Sequence, residues 1–280
     1  MKDITFKTRD GVELHASLFE APPDRETGPV VLISSATAVP RRFYRHFARF
    51  LADDGARAVM TYDYRGINGK LSQSELRSIR MSDWATADLP AAAEALCDLF
   101  PGAPLAGIGH SFGGQALGLS GTASRFVRYM TIAAGSGYLG FTREHQKLSN
   151  AMNRVGWPVA AVLGRLPRWA GFGEPLPYGA FNQWRKWCNS PEYFMSDETV
   201  PERSRFRNVA IPMVAVGFED DNWATRQSVD AMVAWYSHAD IRVRWFGEDE
   251  LSAPVGHFGF FRAEHRDTLW PQLADWLVRD

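Results

Sequence analysis

A chain of 280 residues, 45% hydrophobic and 22% charged, has the length and composition of a folded protein with a sizeable core, which argues against a disordered or fibrous one. Its formal net charge of -1, with no basic tail and no long run of like charge, argues against nucleic acid as a partner. No run approaches the ~20 apolar residues of a spanning helix, so no membrane span is expected. The start, Met1 to Phe6, lacks the apolar stretch of a signal peptide, and Cys97 and Cys188 have no metal-ligand spacing. A cytoplasmic location is the matching expectation.

In chain order, Ile4 to Phe19 alternates in strand fashion about Asp10-Gly11, a hairpin signal. Pro22-Pro23-Asp24 and Thr27-Gly28-Pro29 mark a surface loop. Val30 to Ile33 is a continuous apolar run, as in a strand covered on both faces. Residues 41–53 place Phe43, Phe47, Phe50 and Leu51 at helical spacing. Ala58 to Tyr62 is a second buried strand, ending at Asp63-Tyr64-Arg65-Gly66, and a helix is predicted from Ser82 to Phe100. Leu105–Ile108 reads as a strand, Gly113–Gly121 as a helix and Tyr129–Ala134 as a strand.

This alternation implies a doubly wound, mostly parallel α/β sheet. The rhythm breaks at Gly135. From there to about Asn208 the sequence carries no strand signal, only prolines, glycines, aromatics and short amphipathic pieces. It resumes at Ile211–Val216 and Ile241–Phe246, and a helix from Ala263 to Val278 closes the chain. The expected organisation is a core of residues 1–135 and 209–280, with residues 136–208 as an inserted helical cap over the carboxyl edge of the sheet.

The chemistry concentrates at Gly109-His110-Ser111-Phe112-Gly113, a G-x-S-x-G turn between a predicted strand and a predicted helix. Small residues around such a serine allow the strained backbone that lifts its hydroxyl clear of the chain. A serine hydroxyl needs a base, and the base an orienting acid. The acidic turn Glu219-Asp220-Asp221 and then His257 follow Ser111 in that order.

The sequence thus resembles the α/β-hydrolase superfamily of capped serine hydrolases over nearly its whole length. Asp63-Tyr64-Arg65-Gly66 is similar to the superfamily's D-x-R-G segment. Val255-Gly256-His257-Phe258-Gly259-Phe260-Phe261 is similar to the histidine loop of a group of bacterial predicted hydrolases. The resemblance implies Ser111 as nucleophile, His257 as general base and acid, and an aspartate of the 219–221 turn as orienter. Asp221-Asn222-Trp223-Ala224-Thr225 matches the D-x-x-[VA]-P pattern except for its threonine and favours Asp221; counting from Gly217 selects Asp220. An oxyanion hole requires two backbone N–H donors. Phe112 is the first, and in Ser34-Ser35-Ala36-Thr37, where many relatives have His-Gly, Ala36 is the expected second and Thr37 the next choice.

The other histidines, His110 among them, read as structural or surface groups. The aromatics of the insertion fit a small helical core, with Phe181, Trp184 and Cys188 on one face, the lining of an acyl pocket, or an exposed patch that touches lipid or another subunit. No metal or nucleotide motif is present in the sequence, so no cofactor is expected. The expected activity is cleavage of a small-molecule acyl ester or thioester by a protein that could form a homo-oligomer. Three alternatives remain: a peptidase using Glu174 or Glu192 to hold an amine, an acyltransferase, or a non-catalytic binder using the same pocket.

Overall fold

The computed structural model describes residues 1–22, 27–67, 69, 71–251 and 253–279; Pro23 and Asp24 of the first predicted loop lie outside the described residues. The opening alternation folds as an antiparallel hairpin of β1 (Lys2–Lys7) and β2 (Glu13–Glu20). In β3 (Val30–Ser34), β4 (Ala58–Tyr62) and β5 (Leu105–His110) every residue is buried, which is why their sequences are apolar without alternation. β6 spans Phe126–Ile132 rather than Tyr129–Ala134, because Ala133 turns to a left-handed φ of 49° and ends the strand.

Between Gly135 and Asn208 the structure departs from the sequence reading. It contains an antiparallel ribbon of β7 (Arg165–Leu166) and β8 (Leu176–Pro177), whose strands are too short to show a period. β9 (Pro212–Phe218) and β10 (Asp240–Phe246) resume the main sheet. Among the described residues this sheet has eight strands in the order β1-β2-β4-β3-β5-β6-β9-β10, and β2 alone runs against the rest.

The helices are α1 (Arg45–Asp54), α2 (Gln73–Ser78), α3 (Met81–Asp83), α4 (Leu89–Leu99), α5 (Phe112–Ser120), α6 (His145–Asn150), α7 (Trp157–Leu163), α8 (Tyr178–Cys188), α9 (Arg226–Val233) and α10 (Leu269–Val278). A π-helical stretch at Trp84–Asp88 joins α3 to α4, so the helix predicted from Ser82 to Phe100 is continuous but underwound. The last helix begins at Leu269, and Ala263–His265 forms a separate single turn. α2 lies outside the helices that the sequence pattern indicates; a capping box of Ser72 and Glu75 starts it.

Helices cover both sheet faces, and alternation along β3 separates the two cores. Val30 and Leu32 pack on the side of Leu96 of α4 and Leu117 of α5. Val31 and Ile33 pack on the side of Phe47 of α1 and Trp270 of α10. The first core continues into the Gly135–Asn208 segment through Met152, Phe181 and Phe194. Polar ties reinforce that contact: the Ser82 N–H donates to Gln183 Oε1 (3.0 Å), and Arg77 donates to the Ala161 carbonyl (2.7 Å).

The Asp63-Tyr64-Arg65-Gly66 segment is structural. Arg65, which is buried, donates to Asp88 Oδ1 in the π stretch (2.7 Å) and to Asp10 in the hairpin turn (2.7 Å), so one guanidinium joins three parts of the chain. Asp63 accepts from the Arg41 N–H and its guanidinium. Burial pushes the Asp88 carboxyl up to about 7 even against the pull of Arg65. Arg65→Met should lower the unfolding free energy by about 3–5 kcal/mol in urea titrations at about pH 8, because it strands a buried charge. The loss should be smaller near pH 6, where Asp88 can take up a proton; a loss independent of pH would contradict this account.

Candidate active site

β5 ends at His110 and α5 begins at Phe112, leaving Ser111 alone on the turn with φ 51° and ψ -113°. A non-glycine residue with positive φ is strained and persists only where its surroundings hold it. The flanking glycines explain how they do. A Cβ at Gly109 would lie 2.3 Å from the Gly113 carbonyl carbon, and one at Gly113 would lie 2.2 Å from the Ser34 carbonyl oxygen. Strand, helix and the end of β3 therefore meet at contact distance, and Ser111 sits at the positive end of α5.

The acidic turn follows β9, and His257 lies in the loop after β10. His257 Nδ1 is 2.8 Å from Asp221 Oδ2, and His257 Nε2 is 3.0 Å from Ser111 Oγ. Asp221 is fully buried, and its other oxygen accepts the N–H groups of Trp223 (2.7 Å) and Ala224 (3.0 Å). Burial opposes the charged carboxylate, but the His257 ring and these N–H donors outweigh it and hold Asp221 below its ordinary value. An ionised Asp221 only accepts, so Nδ1 carries the proton and Nε2 receives the Ser111 hydroxyl. Asp220 has a different part: its Oδ2 accepts the Val255 N–H (2.7 Å) and ties the acidic turn to the histidine loop.

Ser111 opens into a cavity of about 210 Å³. Val39, Phe172, Trp184, Tyr193, Trp223 and Phe258 supply its apolar walls, and Gln115 and Ser228 add polar groups. Trp184 stacks on Trp223 with ring centroids 5.9 Å apart. Aromatics between Gly135 and Asn208 thus serve both as core, at Phe181, Trp187 and Phe194, and as cavity wall, at Phe172, Trp184 and Tyr193. Among the described residues no carboxylate lines this cavity. Glu174 is paired with Arg42 and Arg168, and Glu192 is exposed.

The N–H of Phe112 is the first of α5 and has no acceptor among the described residues. The assignment of Ala36 as second donor needs correction: its N–H donates to Tyr44 Oη (2.8 Å) and is already used. Thr37 is the next residue along the same loop. It lines the cavity with Ser111, and its N–H has no acceptor among the described residues.

Tyr44 Oη is also 2.9 Å from His110 Nδ1, and His110 Nε2 is 2.7 Å from the His257 carbonyl oxygen. A carbonyl only accepts, so Nε2 bears the proton, Nδ1 accepts from the Tyr44 hydroxyl, and that oxygen accepts from Ala36. One proton order runs from the loop after β3 to the backbone of His257. Both side chains are fully buried, and burial, followed by the nearby His257 ring, drives His110 down to about 3, so its ring is neutral.

A model of the Alpha/beta hydrolase family matches residues 30–272. This chain belongs to the α/β hydrolase family. No curated protein matches it in sequence. Among solved structures it is similar to Est1E from Butyrivibrio proteoclasticus with ferulic acid bound, at TM-score 0.63 and 14% identity, over 98% of this chain and 97% of that one. It is also similar to the esterase EaEST from Exiguobacterium antarcticum, at TM-score 0.63 and 12% identity, over 98% of each chain. The Pyrococcus furiosus esterase Pf2001 matches at TM-score 0.58 and 15% identity, over 99% of this chain and 88% of that one. At these identities the likeness concerns the fold.

In this α/β hydrolase, sequence reading brings Ser111, Asp221, His257 and Phe112 to one place but misses Tyr44 and the linking part of His110. A tyrosine beside a helix start carries no local signal, since its partners are 8 and 66 positions away. The depressed His110 has a measurable consequence. From about pH 6.5 down toward 3 the unfolded ring binds a proton that the folded one refuses, so stability is lost as pH falls through that window. His110→Gln should make the fall in unfolding free energy shallower there, by up to ~1.4 kcal/mol per pH unit for one group. Equal slopes in urea titrations of both proteins would contradict the assignment.

Proposed function

We propose that this α/β hydrolase is a serine hydrolase that cleaves carboxylic esters or thioesters through an acyl-enzyme. The hydrogen-bonded series Asp221–His257–Ser111, opening into an apolar cavity, carries the reading. His257 Nε2 removes the Ser111 proton as Oγ attacks the acyl carbonyl, and the oxyanion is received by the N–H groups of Phe112 and Thr37. Asp221 holds the imidazolium. When the tetrahedral centre collapses, His257 gives its proton to the leaving alcohol or thiol. A water then takes the same path: His257 removes its proton, hydroxide attacks the acyl carbon, and Ser111 leaves with that proton.

The 136–208 segment acts as a cap in this reading, with Phe172, Trp184 and Tyr193 against the acyl group. A wall without carboxylates suits an uncharged acyl chain better than an aminoacyl one, which favours ester over peptide cleavage. Wild-type protein should hydrolyse 4-nitrophenyl esters of short and medium acids. Ser111→Ala and His257→Ala should each lower kcat/KM by about 10³-fold or more. Asp221→Asn should also fall steeply, while Asp220→Asn should fall less because its bond goes to backbone. Full activity of Ser111→Ala on any such ester would overturn the proposal.

A further inference from the structure

We propose that the outer face of the helical run from His145 to Leu163, together with the following Trp169 turn, docks on an anionic lipid surface. α6, a π-helical stretch at Ala151–Gly156 and α7 make that run continuous. Its inner side is apolar and buried at Met152, Gly156 and Ala160. Its outer side is polar at His145, Gln146 and Lys147 but carries apolar groups further on: Val155 and Val162, two turns apart, are exposed, and Val162 is 80% exposed. A helix apolar on both sides leaves one side without a partner.

The exposure is concentrated. Of ten exposed large hydrophobic residues among those described, five fall between positions 155 and 169: Val155, Trp157, Val162, Leu163 and Trp169. Trp169 is 69% exposed, and its turn lies beside the Ala151–Gly156 stretch, so the two form one patch.

Charge selects the occupant. From residue 145 to residue 173 there is no Asp or Glu, yet the stretch holds Lys147, Arg154, Arg165 and Arg168, in a chain whose net charge is -1; Lys147 pairs with Glu144 and Arg168 with Glu174, just outside the stretch. Arg154 and Arg165 are exposed and have no carboxylate partner among the described residues. A second copy packed here about a two-fold axis would bring both arginines of each copy to one interface, with no acid from residues 145–173 to pair them. An anionic lipid layer meets both features. Its headgroups pair with the guanidinium groups, and its acyl boundary takes the valines, the leucine and the tryptophans. Gly171 and Phe172, just beyond Trp169, line the cavity, so docking would set the lipid phase beside its mouth.

The proposal does not depend on the ester-cleaving reading. Its test is co-sedimentation of the full chain with vesicles of phosphatidylcholine, alone or with about 30% phosphatidylglycerol, at low and high salt. Binding should require the anionic lipid, weaken with salt, and fall about tenfold or more in a Val162→Asp, Trp169→Asp double variant. Both side chains are exposed and outside the cavity, so hydrolysis of a soluble ester, where wild type has it, should be unchanged. An Arg154→Glu, Arg165→Glu variant should lose the anionic preference. No binding to anionic vesicles, or equal binding by the double variant, would overturn the proposal. So would a dimer in light scattering that the double variant dissolves, which would assign the face to a second copy.

Discussion

The structure depends on one close approach. Ser111 keeps its left-handed backbone because β5, α5 and the end of β3 converge there at distances that only Gly109 and Gly113 permit. The convergence presents the hydroxyl at the carboxyl edge of the sheet, aligns the first N–H of α5 beside it, and brings the loop after β3 alongside. In the sheet β3 and β6 lie on either side of β5. A wider crossing would relax the backbone and withdraw the hydroxyl from His257.

Around that point, buried polar groups hold loops that have no regular structure of their own. Asp221 takes two backbone N–H groups and a ring N–H, and Asp220 takes the Val255 N–H. Tyr44 and His110 link the Ala36 backbone to the His257 carbonyl. Each donor in these chains meets an acceptor, which makes burying them tolerable and their geometry specific. Aromatic edges fill the space between: the Phe261 ring lies 4.7 Å from that of Tyr44 and 4.9 Å from that of His110.

Much of this is legible in the sequence, for identifiable reasons. β3, β4 and β5 are covered on both faces, so their apolar runs are uninterrupted, and the glycines around Ser111 respond to contacts that no other residue fits. Features without a period or a local partner are not legible. The ribbon of β7 and β8 is two residues per strand, the π stretch at Trp84–Asp88 keeps helical patterning, and Ala133 ends β6 by a dihedral that alanine does not advertise. Asp220 and Asp221 lie between these cases: the likeness to D-x-x-[VA]-P favours Asp221, counting from Gly217 selects Asp220, and the turn after β9 sets the Asp221 carboxylate against the imidazole. The use of the Ala36 N–H depends on Tyr44 Oη, a contact across the β3 loop that backbone pattern does not encode.

The central claim is that Ser111 is an activated nucleophile, and the intact mass of the native protein after exposure to a fluorophosphonate tests it most directly. The account predicts one adduct per chain, formed by folded protein, absent after heat denaturation and absent in Ser111→Ala. A folded wild-type protein that stays unmodified, or a Ser111→Ala variant that labels as fully, would contradict it.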